Sequence, residues 1–220
     1  MCHSNKFYNY HKNVNKIDLK LEKNFFLKAI KKTHKQKKKI GLSVSDKETF
    51  INLIDLNFDF YKLLSESINN FELIKTLKKK KKKIYISTGY KAKNSHIKKT
   101  IKILGKKNTE LLHTPMTYDP EEINLKRINE LDKLFNMKVG YSNHFNDINI
   151  INVLPAYKVS SIFFYCKPKN IKSRIYPDNN HAFSFKEIDQ MLKRFSMYVK
   201  IHKKIKRIKK ITIFDNEIKI

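Results

Sequence analysis

Short apolar runs rich in isoleucine, valine and phenylalanine alternate with longer segments of helical periodicity along most of the chain. The short runs have the length and composition of strands, and the longer segments repeat apolar residues every three or four positions, as amphipathic helices do. This alternation predicts repeated βα units around a parallel sheet. Six strands are predicted, at residues 40–44, 58–63, 83–87, 110–113, 138–141 and 160–165.

Helices are predicted before, between and after these strands, at residues 19–34, 47–56, 69–79, 95–104, 120–135, 146–155 and 184–202. Several of their starts carry capping signals. Asp46 and Ser184 can accept hydrogen bonds from the free N–H groups of a first turn, and Glu187 follows Ser184 at capping-box spacing. Pro120 and the two glutamates after it suit the positive end of a helix dipole.

A length of 220 residues with 40% hydrophobic residues suits one globular domain. Residues 1–16 are predicted to be disordered, and residues 203–220 are predicted to form a basic tail. No run approaches the ~18 apolar residues of a membrane span, and the N-terminus lacks the apolar segment of a secretory signal. The two cysteines, Cys2 and Cys166, make neither a disulfide framework nor a paired-cysteine zinc site. These features predict a cytoplasmic protein with no membrane partner.

The formal net charge is +28, because 48 lysines and arginines face 20 aspartates and glutamates. Such a charge predicts nonspecific, salt-dependent affinity for nucleic acid, since clustered cations release counterions from phosphate backbones. Only four basic residues are arginines, however, and arginine is the residue suited to bidentate recognition of phosphates and bases. Two lysine-rich runs, residues 35–39 and 78–83, precede predicted strands and fit a solvated helix end better than a binding motif.

Five short segments carry a more specific signal. They are residues 61–65 (YKLLS), 85–90 (YISTGY), 110–114 (ELLHT), 139–144 (VGYSNH) and 176–184 (YPDNNHAFS). In this order and at this spacing they resemble the barrel of the sialic-acid synthase family, the last one with an insertion in the family's Gly-Pro-Asp-His-Ala-Phe-Ser segment. The resemblance runs from about residue 19 to residue 198.

The resemblance implies a fold. The family's catalytic domain is a (β/α)8 barrel, and such barrels carry out their reactions at the carboxyl ends of the strands. Alignment places the strand at residues 40–44 at the family's third strand. We therefore expect an α/β fold over residues 17–202, a partial TIM-type (β/α) barrel with a parallel sheet and about six of the eight βα units. The family's first two units and its small C-terminal domain are missing, which predicts a truncated member.

The resemblance also implies an activity, the condensation of phosphoenolpyruvate with the aldehyde of an N-acetylated amino sugar to give a nonulosonic acid. Hydroxyls and an ammonium are suitable donors to the phosphate and carboxylate of phosphoenolpyruvate. Taken singly, each serine at a strand end also fits a hydrogen bond to the backbone, but the matching set favours an inherited phosphoenolpyruvate site. Lys62, Ser65, Ser87 and Ser142 match directly, and Ser43 stands where the family has threonine, which keeps a hydroxyl donor.

A divalent metal, manganese or magnesium, is implied as the Lewis acid that polarises the aldehyde. Two histidines hold it in the family. His144 matches the first, although the acidic residue that precedes it in the family is Asn143 here. The second belongs to a Glu-Lys-His motif, and Cys166 stands at its position, with Phe164 in place of the glutamate. A thiolate suits zinc better than manganese or magnesium, so Cys166 fits either a metal ligand or a small buried residue.

Other family positions are mixed. Tyr118 and Asp178 match substrate contacts, and Asp178 fits a cap or turn residue equally well. His113 is a candidate catalytic residue, with a hydrogen-bonded structural role as the alternative. A family glutamate is Ser67 here, and a family asparagine that contacts phosphoenolpyruvate is Met116, which cannot donate a hydrogen bond.

Three functional hypotheses follow. The first is a working synthase that recovers the missing strands and ligands from a partner chain, with which a homodimer is compatible, or through a relaxed metal site. The second is a catalytically impaired relative that keeps only the site for the phosphoenolpyruvate anion. The third is a lysine-rich, nonspecific binder of nucleic acid.

Overall fold

The computed structural model describes residues 3, 5–14, 18–89, 92–167, 178–201 and 214–215. The chain divides into two compact units, residues 1–110 and 111–220. Most of the predicted basic tail, residues 203–220, lies outside the described residues.

The described helices and strands follow the predicted alternation. The helices of the first unit are α1 (Asn5–Asn13), α2 (Lys23–Lys35), α3 (Lys47–Ile51), α4 (Phe71–Lys79) and α5 (Asn94–Leu104), and those of the second are α6 (Lys126–Phe135), α7 (Ile150–Val153) and α8 (Phe185–Ile201). Six parallel strands follow sequence order in one sheet: β1 (Gly41–Val44), β2 (Phe60–Leu63), β3 (Lys83–Ser87), β4 (Thr109–His113), β5 (Val139–Ser142) and β6 (Ile162–Phe163). A smaller parallel sheet has the order β8 (Ala182–Ser184), β7 (Tyr165–Lys167) and β9 (Phe214–Asp215).

In the first unit, the register of β1, β2 and β3 aligns Leu42 with Tyr61 and Ile84. Aligned side chains in a parallel sheet point to the same face, and all three are buried. Phe50 of α3 packs against Tyr61 with 5.4 Å between the ring centroids. This face of the sheet therefore contributes to the hydrophobic core, and the opposite face carries the residues that alternate with it.

The predicted capping residues bond as expected. The Asp46 carboxylate accepts from the Thr49 N–H at 2.8 Å at the start of α3. Before α8, the Glu187 carboxylate accepts from the Ser184 N–H at 2.7 Å, and the Glu187 N–H donates to the Ser184 hydroxyl at 3.3 Å. Both bonds of the capping box predicted from the spacing of these residues are present.

Three predicted helices are shorter or interrupted. The segment at residues 120–135 is a 3-10 turn, Pro120–Glu122, followed by α6, because Asn124 between them takes a left-handed φ of 43°. The segment at residues 47–56 ends its regular helix at Ile51, and α7 begins four residues later than predicted. The strand predicted at residues 160–165 is β6 and the start of β7, which belong to different sheets.

The N-terminal segment differs from the expectation of disorder, since residues 5–13 form α1. His3 stacks on Phe7 with 4.0 Å between ring centroids, and its Nδ1 lies 3.0 Å from the Ser45 hydroxyl and 3.5 Å from the Glu66 carboxylate. These contacts tie the segment to the loops that follow β1 and β2. Residues 1, 2, 4 and 15–16 lie outside the described part of the chain.

The two lysine-rich runs lie where the sequence places them, before β1 and before β3. Residues 35–39 are exposed, as a solvated helix end requires. Across the described ranges, no helix has both the length and the apolar character needed to cross a bilayer.

Candidate functional site

Three of the predicted anion-binding residues project from one face of the sheet in the first unit. Ser43 of β1 aligns with Lys62 of β2, and Lys62 aligns with Tyr85 of β3. Ser87 lies two residues beyond Tyr85 on the same strand, and residues two apart in a strand share a face. The structure therefore brings Ser43, Lys62 and Ser87 to one face, with the Tyr85 ring on the same side.

Burial makes this face unusual. The Lys62 side chain is only 5% exposed, and burying an ammonium costs several kcal/mol unless negative charge or hydrogen bonds compensate. Ser87 is 1% exposed, and its hydroxyl has no hydrogen-bond partner among the described residues. Burial, with a smaller contribution from Glu110, raises the pKa of Tyr85 to about 12, so its phenol stays neutral. A cation and a neutral hydroxyl donor are thus held out of water on the same face.

Ser65 lies in the 3-10 turn that follows β2, and its hydroxyl accepts a hydrogen bond from the Gly89 N–H at 3.0 Å. This contact links the turn after β2 to the loop after β3. Ser67, which replaces the family glutamate, is buried and donates to the Ser45 carbonyl at 2.5 Å. Neighbouring Glu66 is exposed, and its hydrogen bond to His3 lowers the pKa of its carboxyl against the opposing effect of burial.

In the second unit, Ser142 is a fully buried residue of β5. It shares a face with Gly140, where an added Cβ would lie 2.2 Å from the Ser161 hydroxyl. Ser142 therefore occupies the strand position that the sequence predicts, but in the other unit from Ser43 and Lys62.

His113 points to the face opposite Ser142. It aligns with Tyr141 of β5, which precedes Ser142 and so projects from the other side. Its Nε2 lies 2.8 Å from the Ile123 carbonyl oxygen, and burial lowers the pKa of its imidazole. A neutral, buried imidazole that bonds to backbone favours the structural role over the catalytic role that the sequence left open.

Of the predicted metal pair, His144 lies beside Tyr165, and Cys166 follows Tyr165 in β7. The Tyr165 hydroxyl lies 3.5 Å from His144 Nε2, and the two rings meet at 5.5 Å. Tyr165 and Cys166 are successive residues of β7, so their side chains leave the strand on opposite faces. Cys166 is 1% exposed and fits the alternative of a small buried residue. Phe164, in place of the family glutamate, is buried as well.

The substrate contacts predicted at Tyr118 and Asp178 meet through a third residue. The Tyr118 hydroxyl is 3.1 Å from His181 Nδ1, and His181 Nε2 is 3.5 Å from the Asp178 carboxylate. The His181 ring also lies 5.1 Å from His144 and 4.7 Å from Tyr165, measured between centroids. Sequence reasoning did not single out His181, although its position three residues after Asp178 was a usable signal, because residues at that spacing meet in a helical turn.

The described residues do not fit a divalent metal of the kind the resemblance implies. Within the described ranges, no three side chains of histidine, cysteine, aspartate or glutamate group closely enough to hold an ion. His144 has a tyrosine hydroxyl next to its Nε2, and Cys166, aligned with the second ligand, leaves β7 on the face opposite that tyrosine. We therefore assign no step of a reaction to a metal.

Comparison with known proteins identifies the family to which this architecture belongs. The family model described as the NeuB family matches residues 2–207. The chain belongs to the NeuB family. This NeuB-family chain is 32% identical over 143 residues to the N,N'-diacetyllegionaminic acid synthase of Campylobacter jejuni, an alignment that covers 61% of this chain and 41% of the relative. It is 33% identical over 107 residues to the N-acetylneuraminate-9-phosphate synthase of Drosophila melanogaster, covering 46% of this chain and 29% of the relative.

Among solved structures, the NeuB-family chain is similar to the N-acetylneuraminic acid synthetase of Leptospira borgpetersenii, with a TM-score of 0.75 and 22% identity. That match covers 83% of this chain and 65% of the other. It confirms the predicted fold class, a partial TIM-type (β/α) barrel with six parallel strands. The chain spans less than half the length of both curated relatives.

Proposed function

We propose that this chain binds phosphoenolpyruvate and acts as a nonulosonic-acid synthase, condensing phosphoenolpyruvate with the aldehyde of an N-acetylated amino sugar. The observation that carries the proposal is the placement of Ser43, Lys62 and Ser87 on one face of the first unit. Membership of the NeuB family supports the reaction class, as do the two relatives, which are named as synthases of legionaminic acid and N-acetylneuraminate 9-phosphate.

In this proposal the first unit holds the anion. The Lys62 ammonium pairs with a phosphate or carboxylate oxygen in a charge-assisted hydrogen bond. The Ser87 hydroxyl, which has no hydrogen-bond partner among the described residues, donates to a second oxygen. Ser43 provides a further hydroxyl from the neighbouring strand, and Ser65 lies in the turn that follows β2. Ser142, in the second unit, stays a phosphoenolpyruvate contact predicted by the resemblance alone.

The second unit provides the proposed contacts to the amino sugar. Tyr118 is 50% exposed and can present its ring and hydroxyl to a ligand, and Asp178 offers a carboxylate beside His181. A half-exposed aromatic residue with a polar tip is suited to a sugar, which has both apolar C–H faces and hydroxyls.

Phosphoenolpyruvate binding tests the proposal most directly. Phosphoenolpyruvate should raise the melting temperature of the parent chain and bind measurably in calorimetry, because a ligand that binds only the folded state stabilises it. Lys62→Met keeps the volume of the buried side chain but removes the charge, so affinity should fall about a hundredfold, the roughly 3 kcal/mol of a charge-assisted hydrogen bond. Lys38→Met, at an exposed lysine before β1, is the matched control and should bind as the parent does. Equal affinity in both variants would refute the assigned site.

A second candidate is the catalytically impaired relative that retains phosphoenolpyruvate binding alone. It is favoured by the placement of Cys166, which leaves β7 on the face opposite Tyr165, the residue beside His144. Turnover of phosphoenolpyruvate with N-acetylmannosamine, assayed with and without manganese, separates the two candidates. Turnover that His144→Ala abolishes supports the synthase. Phosphoenolpyruvate binding without turnover under all conditions supports the impaired relative.

A further inference from the structure

Three lysine-rich runs of the first unit lie where strands of the main sheet begin. Residues 35–39 precede β1, residues 78–83 lead into β3, and residues 106–107 precede β4. Twelve of these thirteen residues are lysines, and none is acidic. Runs that are far apart in the chain therefore carry the same charge to the starts of three strands.

Strand register places these runs side by side. Gly41 of β1 aligns with Phe60 of β2, and Phe60 aligns with Lys83 of β3. The Ile84 N–H donates to the Asn108 carbonyl at 2.8 Å, so the start of β4 lies next to that of β3. Neighbouring strands lie roughly 4.8 Å apart, so the starts of β1 and β4 are at most about 15 Å apart. The three runs form one surface at the amino ends of the strands, which we name the lysine edge.

The acidic residues near the lysine edge already have partners of their own. The Asp59 carboxylate lies 2.9 Å from His34 Nε2, and the Glu110 carboxylate lies 3.0 Å from Lys83 Nζ. Asp55 pairs with a lysine of α2 at 2.8 Å. These carboxylates are therefore engaged away from most of the lysines, nine of which are exposed: Lys35, Lys37, Lys38, Lys39, Lys78, Lys79, Lys81, Lys106 and Lys107.

The opposite edge of the same strands has no such excess of charge. The loops that follow β1, β2 and β3, residues 45–46, 64–70 and 88–93, contain two lysines and two acidic residues. A general richness in lysine would raise the charge of both edges alike. Each run taken singly fits a solvated helix end, but their convergence on one edge favours a binding surface.

We propose that the lysine edge binds the phosphate backbone of a nucleic acid without reading its sequence. Adjacent strand starts are closer than the Debye length of about 8 Å at physiological salt, so the lysines repel one another with little screening. A polyanion replaces this repulsion by attraction and releases its own counterions. The runs contain no arginine, the residue suited to bidentate contacts with bases. This site is independent of the proposed function and uses none of its residues.

A membrane surface fits the lysine edge less well. Stable peripheral binding combines cations with apolar side chains that enter the lipid. The three runs contain only lysine and glutamine, and the exposed large apolar side chains in the described part of the first unit belong to other segments. Charge without an apolar face suits a phosphate backbone in water.

Fluorescence anisotropy of the full chain with two short DNA duplexes of unrelated sequence tests the inference. The parent should bind both equally, with a Kd on the order of 10 μM at physiological salt. Lys38→Gln/Lys79→Gln/Lys107→Gln removes one exposed charge from each run. This edge variant should bind about tenfold more weakly and lower the slope of log affinity against log salt by about three, because each lost phosphate contact contributes about 0.9.

The matched control is Lys28→Gln/Lys98→Gln/Lys186→Gln, which removes the same charge at exposed lysines of α2, α5 and α8. It should keep the salt slope of the parent, since these lysines lie outside the lysine edge. Equal losses in the two triple variants would mean that total charge alone drives binding, and would overturn the inference. A lower melting temperature of the edge variant with unchanged DNA affinity would assign the lysines to stabilising helix C-termini and would overturn it too.

Vesicles that contain phosphatidylserine test the other partner. Sedimentation of the parent with these vesicles, while both duplexes stay unbound, would assign the lysine edge to a membrane and contradict the inference. The edge variant should bind phosphoenolpyruvate as the parent does. Failure of the parent to bind phosphoenolpyruvate would refute the proposed function alone, because the anisotropy measurements decide the role of the lysine edge separately.

Discussion

The two units of this chain differ in how they arrange the residues expected from the family. In the first unit, Ser43, Lys62 and Ser87 all lie within β1, β2 and β3, and their relative placement follows from strand register. In the second, His144 and Asp178 lie beyond strand ends, and Cys166 lies within β7 of the smaller sheet. The first set shares a face as expected, whereas in the second unit Tyr165, the neighbour of Cys166 in β7, is the residue beside His144.

This difference has a physical origin. Within a strand, register and the two-residue alternation allow a side chain only two directions. A residue that matches the family at a strand position is therefore expected to point in nearly the same direction as its family counterpart. The position of a side chain in a turn depends on the backbone dihedral angles of every residue in that turn. Asp178, with its left-handed φ, is an example. Tyr165 and Cys166 are neighbours in β7, so a shift of one residue along the strand is enough to replace Tyr165 by Cys166 on the face beside His144.

The largest expected effect contrasts two strand glycines, one in each unit. A Cβ at Gly140 would lie 2.7 Å from the Ser161 carbonyl oxygen, which the backbone holds in place. The three atoms nearest to a Cβ at Gly41 all belong to the Phe60 ring, and a side chain can yield more readily than backbone. Gly140→Ala should therefore lower the free energy of unfolding by about 3 kcal/mol and Gly41→Ala by about 1 kcal/mol, measured by urea denaturation. Equal costs would mean that the second unit is no more tightly packed at its strands than the first.

A smaller effect is expected to distinguish Ser87, a proposed ligand contact, from Ser67, whose hydroxyl makes a structural hydrogen bond. Ser87→Ala removes a buried hydroxyl that has no partner among the described residues, and should raise the unfolding free energy by about 1 kcal/mol while weakening phosphoenolpyruvate binding about tenfold. Ser67→Ala removes the donor to the Ser45 carbonyl and should lower the unfolding free energy by about 1 kcal/mol. Thermal unfolding of both variants measures the change in stability, and calorimetric titration with phosphoenolpyruvate measures the change in affinity. Destabilisation by both would assign Ser87 a structural role.

The smallest effect concerns His113 in the second unit. Burial lowers the pKa of its imidazole below the ordinary value of 6.5, so the unfolded chain binds this proton more readily than the folded one. The stabilisation is present above pH 6.5 and is lost as pH falls through the folded pKa. His113→Gln can keep a donor to the Ile123 carbonyl but cannot titrate. The fall in unfolding free energy between pH 7 and pH 5 should therefore be smaller in this variant than in the parent, and equal falls would contradict a buried neutral imidazole.

The alternation of apolar runs with helical segments was enough to predict all six strands of the main sheet, since burial of both sheet faces demands continuous apolar strands. It was also enough for the start of α3 and the capping box before α8, where Asp46, Ser184 and Glu187 act within a few residues of their partners. The interruption at Asn124 was not predictable in this way, because a left-handed residue inside an amphipathic pattern leaves no trace in its periodicity.

Composition and local pattern therefore determined which segments become strands and helices, and the order of the strands placed Ser43, Lys62 and Ser87 at comparable positions. Only the tertiary structure decided that His113 faces a backbone carbonyl, that Cys166 points away from Tyr165, and that His181 joins Tyr118 to Asp178. The reason is that residues 63 positions apart, such as Tyr118 and His181, meet through the folded path of the chain, and no local preference specifies that encounter.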